Sequence, residues 1–205
     1  MEKKGGQIFP TEKLWTEIDR QYILAELDRT TKELLKETQK LGFDQWTFRE
    51  HRSRWNINEI VEHLILQNEL HYREISAVSN GPALPKYLPI TSGKDGYFKK
   101  YATDPTKGQA KWFLQPLGRF ESKRESISAF QRACDGIRGF VETTDVDLRK
   151  KMTFRNKGGE KKLADIKIGD VRDLHQLLLT GVAHTDRHLM QIRNIKKHPA
   201  YPRNI

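Results

Sequence analysis

Apolar residues recur at steps of three and four in four separate stretches, the spacing of one buried face on an α-helix. The first stretch begins after Pro10-Thr11 and runs to about Lys40. Trp15, Ile18, Tyr22 and Ala25 form its stripe, and Leu27, Leu34 and Leu41 continue it at sevenfold spacing. Thr11 is its expected N-cap and Gly42 its stop. The second opens at Trp55-Asn-Ile-Asn-Glu59, where Asn56 followed by Glu59 has the form of a capping box. Ile60, Leu64, Gln67 and Leu70 then keep helical spacing as far as Gly81-Pro82. The third starts at Ser122 with Glu125, a second capping box, and carries Ile127, Phe130, Cys134, Ile137 and Val141. The fourth runs from near Asp170 to just before Pro199, with Val171, Leu174, Leu178, Val182, Leu189 and Ile192 as its apolar face. Lys196, Lys197 and His198 suit the negative end of that helix's dipole.

Two connections are long. Residues 81–120 carry Pro82, Pro85, Pro89, Pro105 and Pro116, and residues 144–168 contain Asn156-Lys-Gly-Gly159, which could turn a short hairpin. Connections of this length are usually functional lids or irregular packing segments. Tyr97, Phe98, Tyr101, Trp112 and Phe113 could cover a site as a lid, or pack on the outside of the bundle. No repeat, low-complexity tract or linker divides the chain. The expected fold is therefore an all-α four-helix bundle over residues 1–205 as one domain, with 81–120 as its longest crossover.

Composition narrows the function classes. The chain has 205 residues, 36% apolar and 31% charged, which is the balance of a soluble globular domain with a real core. The net charge is +10, but the bases are spread along the chain, with local clusters only at 149–157 and 196–197. No dense basic run is interleaved with aromatics, so nucleic acid is not an expected partner. The N-terminus has no apolar signal stretch and no run approaches the ~18 residues that span a bilayer. A cytoplasmic protein with no membrane partner is expected. The single cysteine, Cys134, cannot form an internal disulfide and has the register of a small core residue.

Histidines carry the candidate chemistry. His184 and His188 stand four apart in the fourth helix, on one face and about 6 Å apart along the axis, so both rings can converge on one ion. The same spacing also occurs in solvent-facing or hydrogen-bonded pairs. His63 sits mid-helix between Val61 and Leu64, where a buried ring needs either a ligand or a hydrogen-bonding partner. His71 is too far along the helix to share an ion with His63, and His175 points away from His184 as a surface or unrelated packing residue. His51 and His198 have no evident partner.

Two motifs resemble the DinB/YfiT-like superfamily of helical-bundle proteins. Trp55-Asn-Ile-Asn-Glu-Ile-Val-Glu-His63-Leu64 is similar to the opening of its second helix, and Ala183-His184-Thr-Asp-Arg187-His188-Leu-Met-Gln191-Ile192 to its last. The resemblance implies one divalent ion (Zn, Ni or Fe) on His63, His184 and His188, in a bundle with a long crossover that is frequently a homodimer. Relatives include S-transferases that use small thiols such as bacillithiol or mycothiol, an isomerase and metal-dependent hydrolases. The implied activity is thus low-molecular-weight thiol transfer or a related hydrolysis, with a thiol or an electrophile as substrate. A non-catalytic metal-containing stress-response or binding protein is the alternative. An open three-imidazole site can lower the pKa of bound water to about 7, or bind and ionise a thiol. Glu59 and Gln67, one turn either side of His63, and Gln191, one turn after His188, are the candidates to orient the ligands.

Overall fold

A computed structural model describes residues 12–104, 110–155 and 165–203. Each of the four predicted stretches forms a long helix: α1 (Glu17–Thr38), α3 (Ile57–Ser79), α6 (Lys123–Thr143) and α7 (Leu174–Lys197). Between them lie the short helices α2 (Phe43–Thr47), α4 (Leu88–Thr91) and α5 (Asp95–Thr103). Helix α1 packs on α6 and α7, and α3 packs on the same two helices. The long helices therefore form a four-membered ring, as the all-α bundle reading expects. Strands β1 (Met152–Phe154) and β2 (Val171–Asp173) pair antiparallel with Thr153 opposite Arg172, which closes the connection that leads into α7.

Polar side chains at the helix starts satisfy backbone donors that the helices themselves leave unpaired. Asn56 Oδ1 accepts the Glu59 N–H at 2.9 Å while Glu59 Oε2 accepts the Asn56 N–H at 2.9 Å, a full capping box. Ser122 caps α6 as expected, but Glu125 turns its carboxylate to the N–H of Glu121. Helix α1 is capped by Thr16 with Asp19; the Thr11 cap and the Asn156–Gly159 turn lie outside the described residues. Helix α7 begins four residues later than the pattern suggested. Val171 belongs to β2, and Asp173 caps the helix with Gln176.

Two apolar clusters fill the bundle. One joins Leu34, Ile57, Ile60, Leu64, Phe130, Leu189 and Ile192; the other joins Trp15, Ile23, Ile75, Ile137, Leu174 and Leu178. The stripe expected for α1 holds at Leu34 and, just beyond the helix, at Leu41, both buried, but fails in the first turns: Ile18 is 82% exposed and Tyr22 41%, while Ile23, Leu24 and Thr30 face inward. Trp15, from which the stripe was counted, precedes the helix, so it does not share its periodicity. Leu70 on α3 is likewise exposed at 37%, and Asn68 and His71 take the inward positions around it.

Cys134 is a buried core residue whose thiol burial pushes up to about 11, so it is not a nucleophile near neutral pH. Replacing it by alanine is expected to cost about 1 kcal/mol in a urea titration and to leave metal binding unchanged.

Among the described residues, no helix is long and apolar enough to cross a membrane.

Candidate metal centre

The α3–α7 interface brings together three imidazoles separated by up to 125 positions in sequence. His63 and His188 are buried, and His184 is half-buried. His63 and His188 flank the apolar residues Leu64 and Leu189, so core packing carries both rings inward. One ring nitrogen from each histidine lies within 4.8 Å of the others, and His63 Nε2 is 3.0 Å from His184 Nε2. These separations bracket the roughly 3.4 Å between imidazole nitrogens held about 2.1 Å from a tetrahedral ion. The group could hold one metal ion.

The far side of two rings decides which nitrogen is bare. His63 Nδ1 lies 2.8 Å from the Leu114 carbonyl, which can only accept, so Nδ1 carries the proton and Nε2 keeps its lone pair. His188 Nδ1 donates to Gln191 Oε1 at 3.0 Å, which leaves His188 Nε2 bare, buried and without a hydrogen-bond partner. A buried orphan acceptor needs a reason, and a cation between the rings supplies one. Burial lowers the proton affinity of all three rings: His63 falls below its usual value, His184 to about 3 and His188 well below. The positive charge of Arg187 acts in the same direction on each. Neutral imidazoles at physiological pH are the form that binds metals. Trp55 walls the cluster, its ring centroid 4.9 Å from that of His63 and stacked 6.4 Å from that of His188.

The residues expected to orient the ligands divide. Gln191 holds His188, whereas Glu59 is occupied by the Asn56 cap and an ion pair with Arg49. Gln67 donates to His71 Nε2 at 2.7 Å instead of to His63. His71 itself faces Gly181, where a Cβ would come to 3.0 Å from His71 Nδ1. His175, expected at the surface or in unrelated packing, is 2% exposed and accepts the Trp15 indole N–H at 3.2 Å.

Sequence reasoning missed two groups. The Leu114 carbonyl is backbone and has no residue signature. Glu62 stands next to His63 with 1% exposure, and its carboxylate accepts the N–H groups of Leu117, Gly118 and Arg119 at 2.9, 3.0 and 3.1 Å. A glutamate inside the apolar run Ile60-Val-Glu-His-Leu-Ile65 was the available signal.

The 81–120 aromatics do not form one cover. Phe98 is core at 2% exposure, α5 packs on α7, and Trp112 is 83% exposed.

No curated protein and no solved structure matches the chain. The family model of the DinB superfamily matches residues 26–192, a span that includes all four long helices in whole or in large part and all three clustered histidines. By fold, motif order and this match, the chain belongs to the DinB superfamily.

Proposed function

We propose that this protein is a metal-dependent enzyme in which His63, His184 and His188 hold one divalent ion, and that it transfers a low-molecular-weight thiol to an electrophile or performs a related hydrolysis. The orphaned Nε2 of buried His188 beside two further imidazole nitrogens carries the reading. The bound ion would supply Lewis acidity, lowering the pKa of a coordinated thiol or water and so furnishing a nucleophile at neutral pH.

The chain's own groups have separate tasks. Leu114 and Gln191 hold the rings of His63 and His188 by their Nδ1–H groups and keep the Nε2 lone pairs directed inward. Trp55 excludes water from the buried side of the cluster. Arg187 favours an anionic partner at the site, and so a thiolate over a thiol. His184, the most exposed of the three, marks the side from which a small substrate enters.

Elemental analysis of protein purified without a histidine tag tests this directly. Near one equivalent of metal is expected in the parent, and none in a His184→Ala/His188→Ala variant that keeps its helical circular dichroism. Thiol consumption with a panel of electrophiles then separates transfer from hydrolysis. A parent that stays metal-free after incubation with Zn, Ni or Fe(II) refutes the enzyme reading.

A further inference from the structure

We infer that Glu62 is a positioning residue for the three-histidine cluster, acting through the strap of residues 112–120. The inference rests on the proposed metal centre for its consequence, but not for its structural content. Glu62 and His63 are consecutive on α3 yet reach the same strap by different routes. Glu62 accepts three successive backbone N–H groups, from Leu117, Gly118 and Arg119. His63 Nδ1 donates to the strap's Leu114 carbonyl.

Three N–H groups converging on one oxyanion form a nest, which needs a chain reversal that most residues resist. Gly118 supplies it with φ +71, and no atom lies within 4 Å of where its Cβ would be. Glycine is required there by its backbone angle and not by lack of room.

Apolar packing holds the strap only at Leu114, which is buried, and at its end, where half-buried Phe120 packs on the core; Trp112 is 83% exposed, Phe113 42% and Leu117 75%. Arg119 adds an outer tie, donating from both terminal nitrogens to Glu69 at 3.0 and 3.1 Å, with both side chains more than a third exposed. Exposed pairs of that kind contribute little. The buried Glu62 carboxylate is therefore the principal anchor, and releasing it frees the Leu114 carbonyl from His63. Without that acceptor, the His63 proton is no longer confined to Nδ1, and Nε2 ceases to be a reliably bare ligand.

The test compares the parent with Glu62→Gln, which keeps the size and one acceptor oxygen, and Glu62→Ala. Two readouts are taken: the His63 tautomer from long-range nitrogen-15 correlation spectra of the metal-free protein at pH 8, and Zn affinity by competition with a chelator. The parent should show His63 protonated at Nδ1. Glu62→Ala should show a mixture of tautomers and a Zn affinity lower by about 10- to 100-fold, with Glu62→Gln between the two. Gly118→Val, which strains the nest without touching α3, should reproduce the loss, and it decides the matter if the Glu62 variants fail to fold.

An unchanged His63 tautomer in the folded variants overturns the inference, as does a Zn affinity within threefold of the parent where the parent binds Zn. A parent that binds no Zn refutes the metal reading alone, and the tautomer still decides the role of Glu62.

Discussion

Lowering the pH from 7 to 5 is expected to destabilise the metal-free protein strongly, because five histidines, four buried and His184 half-buried, resist protonation. Burial depresses the proton affinity of His63, His71, His175, His184 and His188, to about 4 for His175 and about 3 for His184, from an ordinary value of 6.5. Below pH 6.5 the unfolded chain takes up protons that the folded chain cannot, so stability falls with falling pH. Each such histidine removes about 1.4 kcal/mol per pH unit once the unfolded form is fully protonated. Asp173 opposes the trend: burial raises its carboxyl to about 7, so between pH 7 and 3.8 the folded state holds a proton that the unfolded state lacks. Counting only the four most strongly depressed rings, His71, His175, His184 and His188, against Asp173 leaves about three groups, or about 4 kcal/mol per pH unit at its steepest, against a typical total stability of about 5–15 kcal/mol. A bound ion adds stability at neutral pH and makes the loss steeper, since protons compete for the same nitrogens. Circular dichroism and tryptophan fluorescence from pH 8 to 4, with and without a chelator, measure both effects. Constant stability between pH 7 and 5 would show that these rings are not held neutral.

The second large effect is expected at Arg149. Its guanidinium makes a two-pronged ion pair with Asp95 at 2.8 and 2.9 Å, bonds Asp19 at 3.0 Å, and lies 3.6 Å from Asp173. These carboxylates serve the first turns of α5, α1 and α7, so one cation ties three helix starts together. Arg149→Met leaves three carboxylates facing one another, with the Asp173 side chain only 2% exposed. Removing one partner from a buried ion pair costs about 3–5 kcal/mol, and the partial exposure of Asp19 and Asp95 places this case at about 3. Arg149→Lys keeps the charge but loses the paired geometry, so it should cost about 1–2 kcal/mol. Urea titration at pH 7.5 gives both values. His175 supplies a signature: its Nε2 lies 3.8 Å from Asp19 and 3.7 Å from Asp95, and the Arg149 charge helps hold it neutral. Without Arg149 the ring is easier to protonate, so His175 should contribute less to the acid loss in the Met variant. A variant as stable as the parent would mean that the three carboxylates find other partners.

Local pattern located the helices because a buried helical face repeats every 3.6 residues whatever it packs against. The Asn56–Glu59 box and the Ser122 cap were readable for the same reason, since a cap and its partner lie within three residues. His184 and His188 shared a face by spacing alone, and the two family motifs added His63. The phase of the first turns of α1 was not readable, because Trp15 stands outside the helix it appeared to begin.

Tertiary structure decided everything that depends on where a polar atom meets a distant chain segment. Only the fold puts the Leu114 carbonyl on His63 across 51 positions, and the Trp15 indole on His175 across 160. It also sends Gln67 to His71, engages Glu59 at a cap, and gives Glu62 three backbone donors. Hydrophobic periodicity records which face is withdrawn from water, and that is a local property of the helix. Hydrogen bonds are directional and fail beyond about 3.5 Å, so their partners are set only when packing has fixed the helices and the strap in place.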